Sequence, residues 1–245
     1  MTGIERSLVI IPTYNEAENL PPLVQAILNL NAGLDVLVVD DNSPDGTGAI
    51  ADGLAEEHTE VHVLHRPGKE GLGPAYIAGF GWSLERAYEY IFEMDCDFSH
   101  DPAELPRFLV EIESADLVIG SRYTKGGSTP DWSIRRRLIS VVGNWISRLF
   151  LGLKTRDCTG GFRCYRRSLL EAIPWQAICA RGYGFQVGAV FHAERLGATI
   201  KEFPITFRDR RVGESKMTAG IVKEAFTCVL ELAFYNCRTR SPDTA

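Results

Sequence analysis

The chain has 245 residues, 45% of them hydrophobic, enough to bury the core of one α/β domain with an appended segment. Its formal net charge is −6, so no global basic field is available to hold nucleic acid. The cysteines at 96, 158, 164, 179, 228 and 237 form no C-x-x-C pair, which fits reduced thiols in a cytosolic setting rather than a disulfide scaffold.

The opening stretch, MTGIERSLVIIPTYNE, holds a short apolar run that Pro12 interrupts, and reads as neither a signal peptide nor a membrane span. Short β-rich runs predict strands at 7–12, 35–40, 61–66, 90–95 and 116–121, with helices over 17–30, 47–57, 72–88 and 102–113 between them. Strand then helix, repeated four times, implies right-handed crossovers and a mostly parallel sheet flanked by helices. Ligands bind such sheets beyond the carboxyl ends of the strands. PTYNE, DDNSPDG, DCD and GSRY each sit at one of those ends. Further along, Gly160 and Gly161 form a turn before another strand, 183–197 reads as a helix, 207–220 as a mobile lid and 218–236 as a last amphipathic helix. No stretch reaches the roughly 18 apolar residues of a membrane-spanning helix.

DDNSPDGTG at 40–48 has two readings. It is a turn leading to a helix N-cap, or it offers Asp40 and Asp41 as hydrogen-bond acceptors to a base or ribose, with Tyr14 packed on the base ring. The DCD motif is more specific. If the strand continues through residue 97, alternation puts Asp95 and Asp97 on one face and Cys96 on the other. Two carboxylates about 4 Å apart repel by roughly 4 kcal/mol at an effective dielectric near 20, so a cation belongs between them. Oxygen donors suit Mg²⁺ or Mn²⁺ completed by substrate phosphates, with Ser99 or a water in the shell. Asp101, before Pro102, reads as a helix cap. The competing readings are a zinc site using His100 and Cys96, and two solvated acids in a loop.

From Trp132 to Arg156 there is no acidic residue. WSIRRRLISVVGNWISRLFLGLK mixes Arg135, Arg136, Arg137, Arg148 and Lys154 with Trp132, Trp145, Ile146, Leu149, Phe150 and Leu151. This predicts one or two amphipathic helices, broken near Gly143 or Gly152, that lie in a membrane interface. A helix packed on the protein's own sheet has the same pattern, and both readings hold if they use opposite faces.

VIIPTYNEAENL, VVDDNSPDGT, GLGPAYIAGF, MDCDFSHDP, GSRY, CTGGFRCYRR and DRRVGESK follow one another here in the order seen in polyprenol and dolichol phosphate mannosyltransferases. Over residues 6–232 the chain resembles these family-2 glycosyltransferases, whose fold is of the GT-A type. The resemblance implies one domain over 1–240 and a polar tail at 241–245, with a nucleotide-sugar half near 6–122 and an acceptor and membrane-facing half near 123–240. It puts Pro12, Tyr14, Glu16, Val39, Asp41 and Cys96 in the donor site and makes Asp95 and Asp97 metal ligands, with Ser99 as a third. Arg122, Arg210 and Lys216 resemble phosphate-binding cations, and Arg122, Arg136 and Ser140 resemble ligands of the acceptor phosphate. Catalysis then falls on Asp97, Arg122 and Lys216. Cys96 departs from the Ala or Gly usual between the two acids.

The activity implied is metal-dependent transfer of mannose, with inversion, from GDP-mannose to a polyprenyl phosphate. The enzyme would sit peripherally on the cytoplasmic face of a membrane through its interfacial helices, or with a small membrane partner subunit. A phosphate acceptor is already ionised at neutral pH and needs no catalytic base. The alternatives are a glucosyltransferase using UDP-glucose and a non-catalytic subunit that binds nucleotide sugar. A nucleotidylyltransferase would carry a Gly-rich N-terminal nucleotide loop, which VIIPTYNE is not. Asp157 either lines the sugar site or anchors its own loop, and His192 reads as a satisfied surface or core histidine.

Overall fold

The computed structural model of the protein describes residues 6–178, 182–209 and 227–233. Seven strands make one sheet: β1 (Arg6–Thr13), β2 (Leu34–Asp40), β3 (Val61–His65), β4 (Tyr88–Glu93), β5 (Leu117–Ser121), β6 (Arg163–Arg166) and β7 (Ile200–Pro204). The helices are α1 (Leu20–Leu28), α2 (Thr47–Glu57), α3 (Leu72–Leu84), α4 (Leu105–Ile112), α5 (Ile134–Leu151), α6 (Arg167–Ala172) and α7 (Tyr183–Arg195), and residues 227–233 are also helical. The five expected strands are all present, and β6 follows Gly160 and Gly161 as expected. β7 had no sequence signal beyond a short mixed run.

The strand order is β3-β2-β1-β4-β6-β5-β7. Every neighbouring pair is parallel except those of β6, which runs antiparallel to both β4 and β5. The chain winds from β1 out to β3, then returns to place β4 on the other side of β1. A crevice opens at such a reversal, at the carboxyl ends of β1 and β4.

Both faces of the sheet are covered, which is why β1 and β2 are nearly continuous in apolar residues. Alternation then divides them. Leu8, Ile10, Leu37 and Val39 pack with Tyr76 and Phe80 of α3 and Phe185 of α7. Val9, Ile11, Val36 and Val38 pack on the other face with Leu23 and Val24 of α1 and Phe108 of α4.

One helix, not two, fills the basic segment. Ser133 starts α5, its hydroxyl accepting from the Arg136 N–H, and the helix passes Gly143 without a break. It stops at Gly152, whose φ of 71° is the left-handed geometry that glycine adopts without a Cβ clash. Asn144, Ser147 and Leu151 face the body of the protein. Ile134, Leu138, Trp145 and Leu149 on the opposite side are 78%, 59%, 59% and 62% exposed. The packing reading therefore holds on one face, and the opposite face leaves apolar side chains open to solvent. Trp132 and Leu151, grouped by sequence with the outward apolar residues, are instead buried. Among the described residues no helix is long and apolar enough to cross a membrane.

Candidate active site

At the carboxyl edge, Pro12 near the end of β1 and Tyr14 just past it are both half-buried, and the Lys69 ammonium lies 4.1 Å from the centre of the Tyr14 ring. Glu16 is buried and its Oε2 accepts from the Asn19 side chain at 2.8 Å, so it braces the start of α1.

The two acids after β2 have separate tasks. Asp40 is consumed by its own loop, accepting from Thr13 Oγ1, Ser43 Oγ and the Ser43 N–H. Asp41 accepts from Arg66 Nη1 at 2.6 Å. Burial raises the Asp41 carboxyl above its ordinary value, opposed by the charge and hydrogen bond of Arg66. The turn reading holds, through a third acid: Asp45 accepts from the Thr47 N–H and hydroxyl at the head of α2 and from the Ala17 N–H. Arg66, one residue past β3 and therefore on the same rim, was missed in sequence because its partner lies 25 residues away.

Val39 and Cys96, expected in the donor lining, turn their side chains away from the crevice. Both side chains are buried in the core, Val39 at 0% exposure and Cys96 at 3%, so each has only backbone to offer a ligand. Cys96 packs in the apolar cluster with Val9, Ile11 and Phe92.

The paired acids are not presented by strand alternation. β4 stops at Glu93, and after the Met94 N–H bonds to the Ile10 carbonyl the chain turns. Phe98 holds φ of 60°, a left-handed value uncommon for a side chain of that size and typical of functional turns. Asp97, buried, accepts the Ser99 N–H at 3.0 Å, while Asp95 stays half-buried and donates its N–H to His100 Nδ1. Asp101 caps the helical turn at Pro102 by accepting the Ala103 N–H. His100 stacks on Phe162, and burial pushes its imidazole down to about 4, against the pull of Asp97. It is therefore neutral at pH 7. The zinc alternative loses Cys96, which faces the core, and His100 Nδ1, which accepts the Asp95 N–H; among the described residues no three His, Cys, Asp or Glu groups form a metal cluster. Two carboxylates and Ser99 on one tight turn are hard oxygen donors, a set that fits a divalent ion sharing its remaining positions with phosphate oxygens.

Beneath this turn lies a buried polar layer that sequence reasoning missed. Glu93 pairs in register with Arg163 across β4 and β6, and its Oε2 accepts from Gln186 Nε2 at 2.7 Å. Burial raises Glu93 to about 7, opposed by Arg163, Gln186 and Tyr165. Arg163 donates to the carbonyls of Cys158, Gly160 and Gln186, which ties the 157–161 loop to α7.

Arg122, just past β5, meets Asp157 35 residues away. The Arg122 N–H and Nε donate to Asp157 Oδ2 at 2.9 and 2.8 Å, and Nη2 donates to Oδ1 at 2.6 Å and to the Thr159 hydroxyl at 2.8 Å. Asp157 thus anchors, as one of its two expected roles had it. Burial alone would raise its carboxyl, but the charge and hydrogen bonds of Arg122 bring it below the ordinary range. The loop that carries Asp157 is held by its amides. Glu194 takes the N–H groups of Lys154 and Thr155, Glu202 those of Arg156 and Asp157, and Asn144 of α5 that of Cys158. Five consecutive amides end on side chains from three elements. Gly127 closes the other side, where a Cβ would lie 2.6 Å from the Ser121 carbonyl oxygen.

Arg136, in the first turn of α5, forms an ion pair with Asp209 and lies 4.2 Å from the centre of the Trp132 ring, which Arg122 approaches at 5.5 Å. Ser140, one turn on, accepts from the Tyr123 hydroxyl at 2.6 Å. Trp132 packs edge-on to Phe207, and Phe207 to His100, so aromatic contact links the surroundings of Arg122 and Arg136 to the acidic turn. Arg210 and Lys216, and the proposed lid beyond Asp209, lie outside the described residues.

Acidic oxygen donors and guanidinium groups along the carboxyl edge of a mostly parallel sheet define a class of site, one suited to ligands that carry phosphate. Comparison with known proteins narrows it: residues 8–173 match glycosyl transferase family 2, and the chain belongs to that family. It is 54% identical over 220 residues to undecaprenyl-phosphate mannosyltransferase of Micrococcus luteus, covering 90% of each chain. It is 48% identical over 229 residues to polyprenol monophosphomannose synthase of Mycolicibacterium smegmatis, covering 93% of this chain and 86% of the relative. Among solved structures, glucosyl-3-phosphoglycerate synthase of Mycobacterium tuberculosis, in complex with Mn²⁺, UDP and glucosyl-3-phosphoglycerate, superposes with a TM-score of 0.71 at 18% identity. That match covers 94% of this chain and 80% of the other, and the shared fold is GT-A.

Proposed function

We propose that this glycosyltransferase moves mannose from GDP-mannose to a polyprenyl phosphate, with inversion at the sugar carbon, using Mg²⁺ or Mn²⁺. The observation that carries the reading is the identity of about half of all positions, across nine-tenths of the chain, with a mannosyltransferase named for a polyprenyl-phosphate acceptor. The donor half runs to Arg122 and the acceptor half from residue 123 to about 240.

Each residue group has a task in this reading. Tyr14 and Asp41 take the base, Asp41 being held in place by Arg66. Asp95, Asp97 and Ser99 would hold the divalent ion, which supplies positive charge against the departing diphosphate. Arg210 and Lys216 add cationic charge on the donor side. Arg122, Arg136 and Ser140 receive the acceptor phosphate, offsetting its repulsion from the donor and aligning it for a single displacement. The phosphate oxygen is its own nucleophile, so no side chain needs to remove a proton, in keeping with a neutral, enclosed His100. The exposed apolar and basic face of α5 would seat the enzyme on the cytoplasmic face of a membrane, alone or beside a small membrane subunit.

The test is purified protein with GDP-mannose or UDP-glucose, a short polyprenyl phosphate and either metal, scored for lipid-linked sugar. Mannosyl lipid is expected; glucosyl lipid alone would replace the donor assignment. Asp97→Ala should abolish turnover with an unchanged circular dichroism spectrum.

A further inference from the structure

The two guanidinium–carboxylate pairs on the acceptor side differ in what opening them requires. Asp157 is fully enclosed, bonded three times to Arg122, and sits on a loop whose amides are fixed by Glu194, Glu202 and Asn144. Removing Arg122 from it would strand a buried charge. Asp209 is 46% exposed and makes one bond to Arg136, itself 23% exposed. The backbone around Asp209 is anchored independently of that bond. The Phe207 N–H bonds to the Ser128 carbonyl, the Arg208 N–H to the Ser99 carbonyl and the Asp209 N–H to Asp131 Oδ2. Opening the Arg136 pair therefore asks only for rotation of a solvated side chain. Arg136 is also equipped for a larger anion than it holds: its Nε is buried and has no hydrogen-bond partner among the described residues. A phosphate can engage Nε and Nη together, as planar guanidinium groups favour.

We propose that Asp209 is a counter-ion that the acceptor phosphate displaces from Arg136, so that Asp209 sets the affinity for the acceptor while Arg122 and Asp157 stay locked. The proposal rests on the reading of Arg136 as an acceptor-phosphate ligand and adds to it a competitor supplied by the protein itself. Displacement exchanges one anion for another at a fixed cation. A phosphate monoester brings enough charge to make the exchange favourable, whereas a neutral alcohol leaves the Arg136–Asp209 pair closed. The pair thereby selects for phosphorylated acceptors. Because Arg208 is tied to the carbonyl of Ser99 in the acidic turn, Asp209 stays in register with the donor side as its carboxylate swings away.

The experiment measures steady-state transfer to a short polyprenyl phosphate by the wild type, Asp209→Asn, Asp209→Glu, Arg136→Ala and the Asp209→Asn/Arg136→Ala double variant. Asp209→Asn should lower the acceptor KM roughly two- to fivefold, the worth of an exposed ion pair, and leave the donor KM unchanged. Asp209→Glu should stay near the wild type. Arg136→Ala should raise the acceptor KM, and adding Asp209→Asn to it should change nothing further, since the cation both anions share is gone. An Asp209→Asn enzyme whose acceptor KM is unchanged or higher overturns the proposal while leaving the Arg136 assignment intact. An Arg136→Ala enzyme with a wild-type acceptor KM removes both.

Discussion

Arg122 and Arg136 share one indole, that of Trp132, and each faces an aspartate, yet the two pairs are built from different surroundings. Arg122–Asp157 lies where water is excluded, with side chains 6% and 0% exposed, and every oxygen of Asp157 is spoken for by a donor whose position is fixed from elsewhere. Arg136–Asp209 sits at the mouth, open to solvent and bonded once. The same two residue types thus make a strut in one place and an exchangeable contact in the other. Dielectric and the count of hydrogen bonds decide which, because an enclosed carboxylate that loses its partner has no water to replace it.

The contrast predicts a graded set of stability effects. Asp157→Asn should be the most damaging, by about 3–5 kcal/mol in urea unfolding, because an amide N–H₂ would meet the Arg122 donors inside the protein. That penalty should shrink in acid. The Asp157 pKa is depressed in the fold, so its contribution is in place above the ordinary value of 3.8 and is lost as pH falls through the lower folded value. Wild type and variant should therefore converge below about pH 3.8; a constant gap would mean that the pair is not the source.

Glu202→Ala comes next. It leaves the amides of Arg156 and Asp157 without their acceptor and should cost about 1–3 kcal/mol, with Glu202→Gln costing less because one carbonyl oxygen survives. Equal losses in the two would argue that Glu202 acts by packing. Arg136→Ala should stay within about 0.5 kcal/mol of wild type, the mark of a solvated pair, although its substrate kinetics change. A loss near that of Asp157→Asn would erase the distinction between the pairs. The smallest stability effect belongs to Trp145→Ser with Leu149→Ser on the open face of α5. Thermal unfolding should hardly move, while flotation with anionic liposomes should fall; undiminished flotation would place the membrane contact elsewhere.

The sheet was largely legible because burial on two faces leaves a mark in composition, a near-continuous apolar run, at β1, β2 and β5, while the edge strand β3 alternates instead. The acidic turn was legible as a pair but misread in its geometry. Alternation along β4 was the expected device, whereas the strand ends at Glu93 and a left-handed Phe98 makes the turn. Val39 shows the same limit: it lies beside Pro12 near the strand ends, and its side chain points into the core. α5 was legible as amphipathic, but which apolar residues faced outward was not, since Trp132 precedes the helix and folds under it.

What the sequence determined by itself is local and periodic: the strand and helix alternation, the placing of motifs at strand ends, the cap at Asp101, the family to which the chain belongs. The tertiary structure alone decided the partners. Arg122 finds Asp157 35 residues on and Arg136 finds Asp209 73 residues on, because β6 and β7 enter the sheet out of chain order, on either side of β5. Periodicity encodes which face of an element is buried, whereas the meeting of two charges depends on the order in which strands are laid side by side.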